Sequence, residues 1–436
     1  MDNYLIIYIN DNLLLGGIET YIYKQIKQYK ENKNVHFCWI GAKKPLIDKI
    51  FKELFIEQSV LTIKRKIKIK ALKKYCKDLH IDYVKIITFD PFKFAKAEML
   101  KNKLKPLKVD TFYFVPHFEG ETLYLEEGEK AEKRKNAVNR KIAPLFKKMQ
   151  ANDNIKYFSQ THILKMTDNY GYVVDDEIGG LVPPNIEVRQ FNISEKKALY
   201  QRDVFKILSI SRFEFPHKGY LIGLIRAFAL LKEKYSNLEL IIVGYGGHKF
   251  LIDEEISKID QKIKQSIKLV GAVPPDELFE YYDDANINIS LAGACSNGAK
   301  RGCLSIPVRH YTYECEVYGF LPQSKSHIVS TKPGNSVIEI IENVIHMTEE
   351  EYIQKCLDSF NTFSLETEKN RKSLLEINNK NRDATLAKSE IKYLNKRYKK
   401  YLLKSTWRAY LIVFKREGVF KPIIRKIKKL LKKADE

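Results

Sequence analysis

The strongest constraint on the fold is a repeated alternation of short apolar runs with amphipathic stretches. The first run, "YLIIYIN" at residues 4–10, is apolar along most of its length, which is typical of a strand buried on both faces of a parallel sheet. Two glycines, Gly16 and Gly17, follow it, and isoleucines then recur at every fourth position from Ile18 to Ile26. This spacing predicts a helix, and strands interleaved with helices predict a doubly wound α/β fold.

The chain contains two such series. The first continues through "VHFCWIG", "YVKIITF", "VDTFYFV" and "IKYFSQ", and the second starts near residue 204 with "VFKILSIS", "LELIIVGYG", "IKLVGAV" and "NINISL". Between them, "GGLVPPNIEVRQFNISEK" has the glycines and prolines of a linker. A chain of 436 residues is long for one domain. We therefore expect a first domain over residues 1–190, a second over 191–370 and C-terminal helices with a basic tail over 371–436.

Composition limits the possible partners. The net charge of +22 calls for a partner of opposite sign, which is nucleic acid, an anionic membrane or a phosphorylated substrate. The six cysteines are scattered and include no Cys-x-x-Cys pair, so we expect reduced thiols and no metal site. The start "MDNYLIIYIN" lacks the basic leader of a signal peptide, and no apolar stretch reaches the roughly 18 residues of a spanning helix. The expected location is the cytoplasm.

Two cations follow the first strand of the second series. Arg212 and Lys218 lie in "SISRFEFPHKG" at residues 209–219, separated by an aromatic spacer and followed by a glycine. Ligands of open α/β sheets bind outside the carboxyl ends of the strands, so two domains placed face to face would form a cleft lined by such loops. The pair therefore indicates a binding site for the diphosphate of a nucleotide. A solvated turn is the alternative.

Several short motifs of the second series occur in a characteristic order. They are Arg212 with Lys218-Gly219, "VGYG" at 243–246, "GAV" at 271–273, "DDAN" at 283–286, and Glu314 five residues before Gly319. Together they resemble the carboxyl-terminal half of glycosyltransferase family 4, which comprises retaining sugar-nucleotide transferases of the GT-B fold. "GGIE" at 16–19 is similar to the family's amino-terminal glycine loop. The resemblance covers about residues 1–365 and is strongest over 205–290.

The resemblance implies two Rossmann-like domains that face a cleft, with the acceptor in the first and a nucleotide diphosphate sugar in the second. In the family, the residues that match Arg212 and Lys218 bind the donor diphosphate, where fixed cations stabilise the charge of the leaving group. Gly16 and Gly17 would let backbone N–H groups approach the same diphosphate at a helix start; an ordinary turn is the alternative. No Asp-x-Asp motif occurs, so we expect neither a metal ion nor another cofactor.

The resemblance implies three further contacts. His117, after "FYFVP", is expected in the cleft near the donor and acceptor sugars, with a structural histidine as the alternative. Val273 is expected where the backbone faces the nucleobase, with an ordinary core valine as the alternative. Glu314 is expected to accept the ribose hydroxyls, and Glu316 is a less favoured candidate for that role.

One segment departs from the family pattern. Family members usually carry another glutamate eight positions before the ribose-binding one, and here that position is Ile306. The segment 291–312 is longer than usual and contains the basic, glycine-rich "SNGAKRG". A solvated loop is one interpretation, and a contact with the donor phosphate or sugar is the other. The candidates for that contact are Asn297, Gly298, Lys300 and Arg301.

The leading function is sugar transfer from a nucleotide diphosphate sugar to a glycan or polyprenyl-linked acceptor, in the assembly of a bacterial capsule, O-antigen or exopolysaccharide. The alternatives are a basic nucleic-acid-binding α/β protein and a non-catalytic member of the family. Against the nucleic-acid alternative, the positive charge lies mostly outside the core motifs, and no nucleic-acid-binding module is recognisable. We therefore expect no nucleic-acid partner.

The C-terminal tail predicts a membrane partner. Residues 396–436 contain 15 Lys and Arg against 3 acidic residues, a net charge of +12. Apolar side chains beside such a basic face fit a helix that lies in the interface of an anionic bilayer. A second basic stretch, "KRKIKIKALKKYCK" at 64–77, would flank the acceptor cleft. We expect a peripheral protein on the inner face of the cell membrane. The apolar residues are Trp407, Tyr410, Leu411, Ile412, Val413 and Phe414.

Overall fold

The protein is described from a computed structural model of the whole chain. His117 and the tail from residue 417 onward lie outside the described residues, as does part of the basic stretch at 64–77. The described residues are 2–64, 69–116, 128–171, 173–174, 180–183, 189–369, 372–384 and 386–416.

The first domain is built on a parallel sheet with the strand order β3-β2-β1-β4-β5-β6. Its strands are β1 (Tyr4–Ile9), β2 (Val35–Gly41), β3 (Leu61–Lys64), β4 (Tyr83–Thr88), β5 (Lys108–Val115) and β6 (Ile155–Tyr157). Its helices are α1 (Gly17–Gln28), α2 (Lys49–Glu57), α3 (Ile69–Asp78), α4 (Pro91–Leu104), α5 (Glu129–Ala151) and α6 (Gln160–Tyr170). Strand β1 is central and buried from Leu5 to Ile9, as its continuous apolar run predicts.

The second domain contains a parallel sheet with the order β11-β10-β7-β8-β9. The strands are β7 (Phe205–Ile210), β8 (Leu238–Val243), β9 (Ile267–Gly271), β10 (Ile287–Ser290) and β11 (Leu304–Pro307), and a small hairpin pairs β12 (Glu316–Val317) with β13 (Asn335–Ser336). The helices are α7 (Ile193–Tyr200), α8 (Tyr220–Lys234), α9 (Lys249–Ser257), α10 (Gln261–Lys264), α11 (Leu278–Asp283), α12 (Gly293–Lys300), α13 (Val337–Ile345) and α14 (Glu349–Lys369).

In both sheets the first strand lies in the interior, and the chain proceeds outward from it on both sides. Strand order therefore reverses beside β1 and beside β7, and ligands of such sheets bind at the carboxyl ends next to that switch point. Loops from these carboxyl ends of the two domains contact each other. The expected GT-B architecture, two Rossmann-like domains with facing carboxyl edges, is confirmed.

Helix α1 is enclosed more completely than a surface helix. Isoleucines spaced four apart pack on the first sheet as predicted, but six consecutive residues, 21–26, are buried. A run of six residues covers every side of a helix, and a helix buried on all sides needs partners on all sides. The second domain supplies them, so α1 is held between the two domains.

The segment 291–312 is folded. Instead of the solvated loop that was one interpretation of "SNGAKRG", it forms α12 and the edge strand β11. Small side chains explain the helix packing, because a Cβ atom on Gly298 would lie 2.5 Å from the side-chain nitrogen of Asn288. The extra residues therefore complete the second sheet.

The C-terminal segment packs on both domains and does not form a separate unit. Leu374 and Ile377 are buried in the core of the first domain. The chain then passes through α15 (Lys388–Lys392), a π-helical segment (Tyr393–Tyr398) and α16 (Lys399–Arg416). Ala409 and Val413, four residues apart on α16, are buried in the core of the second domain. Residues 372–416 therefore join the two domains a second time.

A buried ionic network fixes this segment to the first domain. Lys85 on β4 donates to the carbonyl of Ile377, and its Nζ lies 3.7 Å from Asp110 on β5. Arg382 pairs with the same carboxylate through two hydrogen bonds of 2.9 and 3.1 Å. Burial lowers the pKa of Lys85 to about 8, while Asp110 acts in the opposite direction. Two cations thus share one fully buried carboxylate.

The packing of α16 corrects part of the membrane prediction. Val413 and Phe414 were expected to face a bilayer, but both lie in the core of the second domain. Their side chains are therefore unavailable to lipid, because they fill space between protein elements. Trp407, Tyr410 and their neighbours at 411–412 remain partly exposed. Among the described residues, no helix is sufficiently long and apolar to cross a bilayer.

Candidate active site

The loop after β7 alternates buried and outward side chains. Phe213 and Phe215 are buried in the core of the second domain, whereas Arg212 and Glu214 are partly exposed. The backbone N–H of Phe213 donates to the carbonyl of Tyr245 at 2.8 Å, which ties this loop to the loop after β8. The aromatic spacer seen in the sequence is therefore an anchor that fixes Arg212 at the carboxyl edge of the sheet.

The loop after β8 can pack against the loop after β7 because its glycines have no side chains. A Cβ atom on Gly244 would lie 1.8 Å from the carbonyl oxygen of Ser211, and one on Gly246 would lie 2.7 Å from that of Phe213. Both neighbours are backbone atoms and cannot move without displacing the Arg212 loop. The "VGYG" motif thus serves close packing of two loops of the second domain.

Arg212 contacts the glycine turn of the first domain. A Cβ atom on Gly16 would lie 2.8 Å from Cζ of Arg212, whereas one on Gly17 would meet nothing within 4 Å. Gly16 immediately precedes α1, whose first N–H groups have no acceptor within the helix. The structure thus brings together a guanidinium and a helix N-terminus from different domains, two groups that the sequence assigned to one ligand.

Glu19 and Asn10 lie beside the contact between Arg212 and the glycine turn. The sequence analysis did not identify either residue. The Asn10 amide, directly after β1, donates to the Glu19 carboxylate at 3.0 Å. Burial raises the pKa of Glu19, and the charge of Arg212 acts in the opposite direction. The available signal was the position of Glu19 in "GGIE", in the first turn of a helix behind two glycines.

Asp48 and Tyr245 link the two domains beside this turn. The Asp48 carboxylate accepts a hydrogen bond of 2.6 Å from the backbone N–H of Leu15 and another from the Tyr245 hydroxyl. Burial, and then the Asp48 carboxylate, raise the pKa of Tyr245, so the phenol stays protonated and donates. No pattern in the sequence connects two residues 197 positions apart.

Lys218 lies on the turn that leads into α8. Its backbone N–H donates to the carbonyl of Glu214 at 2.8 Å, and its side chain is partly exposed. A Cβ atom on the next residue, Gly219, would lie 2.5 Å from the carbonyl oxygen of Thr312. This close approach fixes the start of α8 and, with it, the backbone of Lys218.

The remaining predicted donor residues lie in three places. Val273 follows β9, is partly buried and packs against a small apolar cluster that includes Leu208 and Tyr282. Glu314 follows β11; its side chain is 64% exposed, and its carboxylate lies 3.8 Å from Arg226 on α8. Asn297 and Lys300 are partly exposed on α12, while Gly298 faces the sheet.

Glu316 has a structural role. Its carboxylate accepts hydrogen bonds of 2.7 and 2.9 Å from Arg309 and one of 2.7 Å from the backbone N–H of Gly334. These contacts hold the β12–β13 hairpin together. They also occupy the oxygens that a ribose would need, whereas the ion pair between Glu314 and Arg226 is long, at 3.8 Å.

A comparison with protein families locates a match in the second domain. Residues 190–293 match the model of glycosyl transferases group 1. The matched segment includes the loops that carry Arg212, Lys218 and Val273 and ends where α12 begins.

A comparison with curated proteins finds a relative whose name describes a glycosyltransferase. The chain is 29% identical over 219 residues to the amylovoran biosynthesis glycosyltransferase AmsK of Erwinia amylovora, and the match covers 49% of this chain and 48% of AmsK. The chain thus spans about half the length of the curated relative that it matches.

Solved structures that are similar to this one include the following two. A glycosyltransferase from Rickettsia africae matches with a TM-score of 0.48 and 16% identity, over 86% of this chain and all of that one. HepE of Anabaena, solved in complex with UDP and glucose, matches with a TM-score of 0.47 and 15% identity, over 84% of this chain and 97% of that one. The fold assignment rests on the strand order given above.

We predict that Gly244→Ala lowers the free energy of unfolding by about 1–3 kcal/mol, because the added methyl group meets the backbone of Ser211. Gly247→Ala is the matched control, since nothing lies within 4 Å of its added Cβ atom and it should be nearly neutral. Chemical denaturation of both variants measures the difference. Equal stabilities would contradict the close packing of the two loops.

Proposed function

We propose that this protein is a glycosyltransferase that moves a sugar from a nucleotide diphosphate sugar to a glycan or lipid-linked acceptor. The observation that carries the proposal is the contact of Arg212 with the glycine turn before α1. It places a fixed cation and a helix N-terminus from opposite domains at one point. The match to glycosyl transferases group 1 and the similarity to AmsK support the same reaction class.

The proposed chemistry follows from the charge that develops on the leaving diphosphate. Arg212 and Lys218 supply positive charge from a loop that is anchored by buried aromatics, so little reorganisation is needed as the bond to the sugar breaks. Gly16 and Gly17 add backbone N–H groups and the positive end of the α1 dipole. Because fixed cations meet the diphosphate, the proposal requires no metal ion.

The stereochemical part of the proposal is retention, with the leaving phosphate accepting the proton of the acceptor hydroxyl. No side-chain nucleophile is invoked. His117, proposed to lie near the sugars, is outside the described residues. The name of AmsK includes amylovoran biosynthesis, and this supports assembly of a bacterial surface polysaccharide as the process.

The proposed location is the cytoplasmic face of the membrane, with an anionic bilayer as partner. Residues 417–436 carry 7 Lys and Arg and 3 acidic residues, a net charge of +4 from sequence. Each cation near an anionic surface contributes about 1 kcal/mol. A tail that holds the protein at the bilayer would bring the site to a polyprenyl-linked acceptor.

We predict that Arg212→Ala and Lys218→Ala each reduce turnover on the order of a hundred- to a thousand-fold, the usual effect of removing one preorganised group that stabilises developing charge. Lys234→Ala is the control, because that lysine lies at the far end of α8 and pairs with Glu342 on the surface. The donor is first chosen by thermal shift with UDP-, GDP- and CMP-sugars. Full activity in both variants would remove the diphosphate assignment.

We expect Glu314→Gln to weaken donor binding about three- to ten-fold, the effect of losing one or two modest hydrogen bonds to ribose. Glu316→Gln should lower stability and leave affinity nearly unchanged, since its carboxylate is engaged by Arg309. Isothermal titration of both variants separates the two effects. If only Asn297→Ala weakens binding, the ribose contact belongs to α12 and the Glu314 assignment is wrong.

We expect removal of residues 417–436 to abolish flotation of the protein with vesicles that contain anionic lipid. Truncation after Arg416 keeps the buried side chains of α16 in place, so the remaining protein should unfold at a similar temperature. Neutral vesicles serve as the control for the electrostatic contribution. Undiminished flotation of the truncated protein would assign membrane binding to another surface.

A further inference from the structure

Tyr311 has a backbone conformation that is unusual for a large side chain. It lies four residues after β11, is buried in the core of the second domain, and has a φ of +58°. A left-handed backbone is disfavoured for a residue with a Cβ atom and persists only where the surrounding structure fixes it. Such outliers cluster at active sites, which points to a function for the contacts of Tyr311.

Tyr311 and Thr312 contact the two residues that flank Lys218. The backbone N–H of Tyr311 donates to the carbonyl of His217 at 3.2 Å, and the rings of these two residues are stacked with their centroids 4.8 Å apart. On the other side of Lys218, a Cβ atom on Gly219 would lie 2.5 Å from the carbonyl oxygen of Thr312. The backbone of Lys218 is therefore held between two contacts with consecutive residues of the loop after β11.

Helix α16 contacts the same tyrosine. The guanidinium of Arg416 donates to the carbonyl of Tyr311 at 2.7 Å, and the ring centroid of Tyr410 lies 6.2 Å from that of Tyr311. A hydrogen bond from a charged donor is stronger than one between neutral groups. Because Ala409 and Val413 fix α16 in the core of the second domain, these contacts hold Tyr311 in place.

The two cations of the loop after β7 are thus fixed in different ways. Phe213 and Phe215 anchor the part of the loop that carries Arg212, whereas Tyr311 anchors the part that carries Lys218. A cation that is held in position before the reaction stabilises developing charge without reorganising. A misplacement of about 1 Å can lower a rate on the order of a hundred-fold. The contacts of Tyr311 therefore act on the property that the proposed role of Lys218 requires.

We propose that Tyr311 is a positioning residue for Lys218 and that Arg416 holds Tyr311 in the required conformation. The inference rests on the proposed function, because that function gives Lys218 its role at the leaving diphosphate. Tyr311 acts through His217 and the backbone of the loop, and it does not itself contact the sugar donor. The C-terminal segment, which joins the two domains, thereby supports the donor site as well.

The first test is hydrogen exchange of the full chain without ligand, followed in the peptide that covers residues 212–222. The backbone N–H of Lys218 donates to the carbonyl of Glu214 within this loop, so local opening exposes it to exchange. Tyr311→Leu should accelerate exchange roughly five- to ten-fold, the effect of losing one modest contact. Tyr311→Phe keeps the stacked ring and should exchange like the wild type. Arg416→Ala removes an exposed side chain, so it should fold normally and still accelerate exchange.

Tyr352→Leu is the matched control for general destabilisation. Tyr352 lies on α14, is also buried, and its hydroxyl donates to the carbonyl of Asn286 at 2.9 Å. Asn286 immediately precedes β10 and so lies at the amino edge of the parallel sheet, away from the loop after β7. Tyr352→Leu should lower stability as Tyr311→Leu does, but leave turnover and the exchange of residues 212–222 unchanged.

The second test is a double-mutant cycle with Lys218→Ala, with the donor identified by thermal shift. In the wild-type background, Tyr311→Leu should lower kcat about ten- to a hundred-fold, the effect of a small misplacement of a catalytic group. The KM for the donor should change less, because the charge on the leaving group develops only in the transition state. In the Lys218→Ala background the same substitution should have little further effect, since the cation that Tyr311 positions is gone.

Three outcomes would overturn this inference alone. They are unchanged exchange of residues 212–222 in Tyr311→Leu, equal acceleration in Tyr352→Leu, and an equal loss of kcat in the two backgrounds of the cycle. Full turnover of Lys218→Ala would remove the diphosphate role of that lysine and this inference with it. Failure of the inference and failure of the proposed function are therefore distinguishable, and the exchange test requires no known donor.

Discussion

The arrangement of the molecule depends on the contact between helix α1 and the second domain. At its start, Gly16 lies directly against Arg212, and one turn later the partly buried Glu19 lies beside the same guanidinium. Further along, Lys24 and Lys27 contact α11 and the loop before it. A side chain at Gly16 would push the guanidinium of Arg212 away. The absence of a Cβ atom at Gly16 therefore determines how closely the Arg212 loop of the second domain approaches the start of α1 in the first domain.

The charge at this interface is distributed unevenly. Around Arg212, the carboxylates of Glu19 and Glu214 offset part of the positive charge. Around Lys24, the described carboxylates are held by Lys27 and Arg301. In the proposed function, a bound diphosphate would replace the carboxylates of Glu19 and Glu214 as the partner of Arg212.

The C-terminal segment shows why an apolar, basic stretch is ambiguous. Its pattern of aliphatic and cationic residues suits a bilayer interface, yet Ala409 and Val413 fit into a protein core. Both environments remove apolar surface from water and leave long cationic side chains at the edge. For α16, the core of the second domain takes the place of the bilayer, because it accepts the apolar side chains of the helix. For the stretch beyond Arg416, membrane binding remains a proposal.

The sequence alone determined the two α/β series, the order of their elements and the positions of Arg212, Lys218 and the glycine pair, because strand burial and glycine requirements are local properties of the chain. It left the 291–312 segment open and did not indicate the partners of Glu19, Asp48, Lys24 or Lys85. Those partners come from distant parts of the chain: Tyr245 reaches Asp48, Phe279 covers Lys24, and Arg382 shares Asp110 with Lys85. The first two contacts depend on how the two sheets dock, and the third depends on how the C-terminal segment packs on the first domain. Docking and packing are decided by the shapes and charges of surfaces that exist only after each domain has folded.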